Sequence, residues 1–423
     1  MNLERLRRPL LAAMFAASAV LAGGCAVSAD AAEDDEVEAS TEAITDVNHS
    51  KVKRQSIGNC WLYATASWAE SLAKDASRTN SELNMSESYW TYWHWFDQIA
   101  NGSASSEIQT GGWYSTAAEI INRYGIVNEG SFIASEAADE MSARQKSALA
   151  KINASLKTGA LSTPQARRDR ALVRRELDAA WELAPNVRTQ LTRVFGAGVT
   201  RTLDKSTVST SFTSIKRAKD IKVMLRDPET HQPVQATLQD AIGTYSSSWG
   251  PRGGRLAWQM ASYPSNPASR RAMLTRIQRA MHDKQPVIVS WYVDFNALDQ
   301  QGRFAAPPAT PGSQGGHMVV VEDYQINDVP GFGTLPAGIV ETRPEALQAA
   351  LAPEAKIEFI RVKNSWGSYR VDRQFVLPGY HDLYMKYLDG PVKHCTQTPA
   401  GTSDPNSCWD DAPLNDFVLP PGY

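Results

Sequence analysis

The sequence predicts an α+β chain: a helical part, a part built on strands, and a largely helical segment between them. Three observations predict it. Apolar residues recur at three- and four-residue steps from Trp61 onward. Three later stretches, 286–295, 317–324 and 356–364, run or alternate apolar as strands do. The segment 135–265 is dominated by amphipathic helical runs, with one strand expected near Ile221 to Leu225.

The elements follow in chain order. Arg5, Arg7 and Arg8 precede an apolar run from Leu10 to Gly24, shorter than a comfortable membrane span, so residues 1–25 read as an export signal. The run ends in Leu21-Ala22-Gly23-Gly24-Cys25, which resembles a bacterial lipobox, whose cysteine is acylated. That predicts a lipoprotein of the outer membrane or cell surface, touching the membrane only through its lipid. Cleavage after Ala29-Asp30-Ala31 is the alternative and predicts a periplasmic or secreted protein. Residues 26–50 are acidic and without aromatics, a composition that reads as a disordered tether.

From Trp61, the residues Leu62, Thr65, Trp68, Ala69 and Leu72 mark one buried helix face. Gly58 and Asn59 lie where the chain enters, so Cys60 falls in the first turn. Free N–H groups and the partial positive charge there favour a thiolate, which predicts a lowered thiol pKa. A small buried hydrophobe is the alternative for such a cysteine. Gly111-Gly112-Trp113 precedes a helix expected from about Ser115, and Thr163-Pro164 is a cap followed by proline in the first turn. In the strand-rich part, His317 follows Gly315-Gly316 and opens an apolar strand, and Asn364 ends another. Cys395 and Cys408 flank a Pro/Gly/Ser-rich loop. In an exported chain they pair, or else remain two free thiols; a disulfide there would contribute about 3 kcal/mol.

Composition bounds the function. The 423 residues are 42% hydrophobic, enough for a sizeable core, and a net charge of −3 gives no reason to expect a nucleic-acid partner. No His/Cys/Asp/Glu group has convincing metal spacing, so no metal or other cofactor is expected. His94 and His282 read as structural.

A helix-start cysteine, a later histidine before a strand and then an asparagine form a specific constellation. Gly58-Asn59-Cys60-Trp61, Gly316-His317 and Asn364-Ser365-Trp366-Gly367 together resemble the nucleophile, base and Asn-Ser-Trp-Gly motifs of papain-like cysteine peptidases. Met85–Trp93 resembles a segment of the bleomycin hydrolase branch, and Gly111–Glu129 is similar to the family's Gly-Gly substrate segment. The matches cover about 50–130 and 270–390. The resemblance departs at Ile57, where many members carry a cysteine, and at Gln55, five residues before Cys60 where six are usual.

The resemblance implies a two-lobe fold, a helical lobe plus an antiparallel sheet or barrel lobe, with the site in the cleft between. It divides the chain into a helical lobe (51–134), a sheet lobe (266–394) and a C-terminal tail (395–423). The mainly helical insertion between the lobes (135–265) has no counterpart in the family and is expected over or beside the cleft or, alternatively, as a peripheral subdomain on the outer face of a lobe. It implies a peptidase acting on peptides or proteins through Cys60 as nucleophile, His317 as base and Asn364 as orienter. Gln55 would share the oxyanion hole with the Cys60 N–H. Gly111, Gly112, Trp113, Gly316 and Trp366 would contact substrate or shield the site. A catalytically silent lipoprotein that binds peptides or partner proteins is the alternative, motivated by the shortened Gln55 spacing.

Overall fold

The computed structural model describes residues 50–76, 83–203, 214–245, 251–252, 254–370, 373–398 and 402–423. The export signal, Cys25 and the acidic segment up to residue 49 lie outside the described residues.

Helices come first: α1 (Cys60–Ala76), α2 (Glu87–Ala100), α3 (Tyr114–Tyr124), α4 (Ala143–Lys157), α5 (Pro164–Arg168), α6 (Arg170–Ala180) and α7 (Pro185–Phe195). Then follow β1 (Lys222–Arg226), β2 (Pro233–Thr237), α8 (Leu238–Ile242), β3 (Thr244–Tyr245) and β4 (Pro251–Arg252). The remainder is mostly strand: β5 (Gln259–Ser262), α9 (Pro267–His282), β6 (Val287–Asp294), β7 (Arg303–Phe304), β8 (Gln314–Val329), β9 (Gly333–Leu335), α10 (Pro344–Ala349), β10 (Lys356–Lys363), β11 (Tyr380–Tyr384), α11 (Met385–Leu388), β12 (Val392–His394), β13 (Trp409–Asp411) and β14 (Leu414–Leu419).

The helical lobe is organised by α1 and α2. The α1 stripe Trp61, Leu62, Thr65, Trp68, Ala69 and Leu72 is buried throughout. Helix α2 buries Tyr89, Trp90, Tyr92, Trp93, Trp95 and Phe96, apolar almost all round, as expected of a helix enclosed by others. Its N-terminus is capped by Ser86, whose hydroxyl accepts the Tyr89 N–H. The run expected to continue from Thr163 through Leu183 breaks at Asp169. That carboxylate accepts the N–H groups of Ala171 and Leu172 and starts α6 as a separate helix.

The 135–265 segment does not stand apart from this lobe. Ala148, Ile152, Leu156, Val173, Leu177, Trp181, Val223 and Leu225 share one core with Trp68 and Trp90. Its last strand, β5, belongs to the main sheet. Its amphipathic faces complete the helical core.

The sheet runs β5-β14-β6-β8-β10-β11-β7, with β9 paired to β8. Its ladders are antiparallel except for the parallel β11–β7 pair. β5 and β7 are free edges, so the sheet is open and no barrel closes. Both faces of its centre are covered, which explains the near-continuous apolar reading of β6. Ile288, Met318 and Val320 point to the helical core, whereas Val287, Val289, Val319 and Val321 join a second core with Ile277 and Met281 of α9. The C-terminal residues are not a tail. β14 lies between β5 and β6, with Phe417 opposite both Ala261 and Val289.

Candidate active site

The residues before α1 tie both lobes together. The Arg54 N–H donates to the Glu140 carbonyl, the Gln55 N–H to the Ser365 carbonyl at 2.9 Å, and the Gly367 N–H to the Lys53 carbonyl at 3.3 Å. Gly367 has φ +86°, and a Cβ there would lie 2.5 Å from Oε1 of Glu140. Only glycine suits this crossing. Gln55 is held at both ends: its Nε2 donates to the Ile57 carbonyl at 2.8 Å and its Oε1 accepts the Ser365 hydroxyl at 2.5 Å. Asn59 is buried and donates to Thr91 and to Gln145 of α4, at 2.9 Å each. The turn is thus fixed from below, and Cys60 follows as the first residue of α1.

Cys60 is half-buried and unpaired. The backbone N–H groups of Met318, Trp61 and Cys60 itself lie close enough to favour the thiolate. Met318 directly follows His317, so the helix start meets β8 where the histidine stands. Burial nonetheless pushes the Cys60 thiol up to about 11, against those N–H groups. The expectation of a lowered thiol pKa is therefore corrected: desolvation outweighs the helix start.

His317 is buried on β8, opposite Trp291. The Trp366 ring stacks on it at 4.6 Å and 25°. Its Nε2 bonds Oδ1 of Asn364 at 2.7 Å, which leaves Nδ1 as the nitrogen for a partner on the other edge. Burial pushes the imidazole down to about 4. Taken singly, thiol and imidazole each prefer to be neutral. Burial thus acts on the two groups in opposite senses, raising the thiol and lowering the imidazole.

Asn364 follows β10 and is buried. Its Oδ1 also accepts the Ser365 N–H at 2.7 Å, and its Nδ2 lies 3.3 Å from Nδ1 of His381 on β11. His381 had no signal in the sequence beyond being one histidine in a short apolar strand.

The remaining expected residues flank this centre. Trp61 donates from Nε1 to the Thr110 carbonyl at 2.9 Å, and a Cβ on Gly112 would lie 2.5 Å from the Trp61 indole. Close packing against Trp61 is why glycine stands at 112. Nothing lies within 4 Å of a Cβ built on Gly111 or on Gly316, and Trp113 is 55% exposed. These three positions border open space, as a binding surface must.

A disulfide joins Cys395 and Cys408. Its loop is bonded to the start of β8: the Cys395 N–H donates to Oε1 of Gln314 at 2.8 Å, and the Gln314 N–H to Oε1 of Gln397 at 2.9 Å. The strand carrying Gly316 and His317 is therefore anchored at its first residue. Among the described residues no group of His, Cys, Asp and Glu is arranged to hold a metal ion, and no helix is long and apolar enough to cross a membrane.

The chain matches no protein-family model and no curated protein. Among solved structures it is similar to xylellain, a cysteine protease from Xylella fastidiosa, at 12% identity over 89% of this chain and 84% of that one, with a TM-score of 0.32. It is also similar to PepW from Lactobacillus rhamnosis HN001, at 12% identity over 90% and 81%, TM-score 0.43. A third similar structure is the bromelain protease from Ananas comosus in complex with the E64 inhibitor, at 14% identity over 88% and 93%, TM-score 0.30.

Proposed function

We propose that the chain is a papain-like cysteine peptidase that hydrolyses peptide bonds through Cys60, His317 and Asn364. The observation that carries this reading is the 2.7 Å bond from His317 Nε2 to Asn364 Oδ1, on the strand whose next residue, Met318, acts through its backbone N–H on the Cys60 thiol. One imidazole edge is oriented by a neutral amide while the other stays available to a thiol.

Burial raises the thiol, and its proton passes to Nδ1 of His317 as sulfur attacks the scissile carbonyl carbon. An S–C bond forms and the carbonyl π pair moves to oxygen. The oxyanion is received by the Cys60 N–H and by the second N–H of the Gln55 amide, the first being used on Ile57. Collapse breaks the C–N bond, and the amine leaves with the proton from His317. Water then attacks the thioester carbon, giving a proton to Nδ1; collapse breaks the S–C bond, sulfur takes that proton and the thiol is restored as the carboxylic acid leaves. Asn364 keeps the ring in place without adding charge, and Trp366 covers the His317–Asn364 bond.

The Cys395–Cys408 disulfide supports export to an oxidising compartment, and acylation at Cys25 would hold the protein on a membrane. A second reading, a peptide-binding protein without catalysis, is favoured by one observation: one N–H of the Gln55 amide is spent on the Ile57 carbonyl and its oxygen on the Ser365 hydroxyl. Incubating the reduced protein with a peptide library decides between them. Cleavage by wild type but not by Cys60→Ala or His317→Ala supports the peptidase. Peptide retention without cleavage, equal in Cys60→Ala, supports the binding module.

A further inference from the structure

We propose that His381 is a positioning residue: it accepts the Asn364 amide N–H and so keeps the Asn364 carbonyl oxygen on Nε2 of His317. The inference rests on the triad reading above. An asparagine amide presents nearly the same shape whichever way it is turned, but only its oxygen can accept a proton from His317. Turned over, its NH₂ would face Nε2 and force the proton onto Nδ1, the nitrogen that must receive one. Two contacts oppose that turn: the Ser365 N–H on Oδ1 at 2.7 Å and Nδ1 of His381, 3.3 Å from Nδ2.

The surroundings of His381 make it an acceptor. It is 1% exposed, with Phe375 and Trp366 edge-on at 5.1 Å each and Phe304 further out. Burial above all, and after it any positive charge on His317, Arg370 and Arg373, disfavours a positive ring and brings its pKa down to about 3. A neutral ring whose Nδ1 accepts carries its proton on Nε2. That nitrogen has no hydrogen-bond partner among the described residues. A phenylalanine would fill this aromatic cage without leaving a polar atom unsatisfied, so packing alone does not account for an imidazole here.

The test compares His381→Phe with His381→Asn, whose side-chain oxygen stands where Nδ1 was. Two quantities are measured: kcat/KM on a peptide cleaved by the wild type, and the pKa of His317 from ¹³C-histidine NMR. The expected result is a loss of roughly tenfold in kcat/KM for His381→Phe, with the His317 pKa falling by roughly half a pH unit or more. His381→Asn restores both. His381→Leu makes the same comparison if the larger ring prevents folding. Unchanged kcat/KM and unchanged His317 titration in the apolar variants would overturn the proposal. So would equal losses in the apolar and asparagine variants with His317 unshifted, which is the signature of a merely structural role. A wild type that cleaves nothing defeats the peptidase reading. The His317 titration still reports whether His381 controls the asparagine.

Discussion

Ser365 and Gln55 hold each other twice across the lobes: the Ser365 hydroxyl donates to Oε1 of Gln55 at 2.5 Å, and the Gln55 N–H donates to the Ser365 carbonyl at 2.9 Å. The residue after Asn364 therefore sets where the Gln55 amide lies. Gln55→Ala should lower kcat on the order of 10²-fold with KM little changed. Ser365→Ala leaves the donor present but loosely held, and should lower kcat roughly tenfold. Steady-state kinetics on one peptide reporter check both. A Ser365→Ala enzyme as impaired as Gln55→Ala would mean that Ser365 does more than hold the amide.

The helical segment after residue 135 is expected to be needed for folding, not for gating. Gln145 of α4 is fully buried, accepts from Asn59 at 2.9 Å, and donates to Tyr63 at 3.1 Å and Ser88 at 3.0 Å. Gln145→Leu should lower stability by about 2–3 kcal/mol, since three buried polar groups lose a partner. Urea unfolding measures it. Replacing residues 136–215 by a short linker should give no folded protein; a folded, active deletion variant would contradict the shared core.

Glu136 gives a pH dependence with a definite sign. It is buried and neither carboxylate oxygen has a hydrogen-bond partner among the described residues. Burial raises its pKa from the ordinary 4.5 to about 7. The folded state thus holds this proton more tightly than the unfolded one. The contribution to stability is fully present below 4.5 and is lost as pH rises through 7. Glu136→Gln should match wild type near pH 4 and exceed it above pH 7 by at most about 3 kcal/mol. Thermal unfolding across that range shows whether the gap opens in this direction.

The disulfide loop should contribute both stability and order at β8. Replacing Cys395 and Cys408 together by serine is expected to cost about 3 kcal/mol. Its effect on kcat/KM should be smaller, because the Gln314 bonds to Cys395 and Gln397 are made by backbone and amide groups that remain. Non-reducing peptide mapping of the wild type should recover the two cysteines joined.

Much of this architecture was legible where a local pattern decides. The helix from Cys60, the helix after Gly112 and the strands β6, β8 and β10 each carry their own period, and Thr163-Pro164 carries its own cap. What escaped depends on distant parts of the chain. "LNDFVL" is short and half polar, yet β14 sits inside the sheet because β5 and β6 flank it. Amphipathic helices between 135 and 200 announce a buried face without naming what it meets. The Cys60 thiol is a similar case: the helix start is local, whereas burial depends on the core packed around it. His381 could be found only once β11 lay beside β10, with His381 opposite Val362 and next to Asn364.

The most direct measurement is mass spectrometry of the wild-type protein rapidly quenched in acid during turnover of a peptide ester. The account predicts a transient mass increase equal to the acyl group, mapped to the peptide containing Cys60, and absent from Cys60→Ala. In His317→Ala it should form far more slowly. Hydrolysis that proceeds in Cys60→Ala, or an acyl group found on any residue other than Cys60, would contradict it.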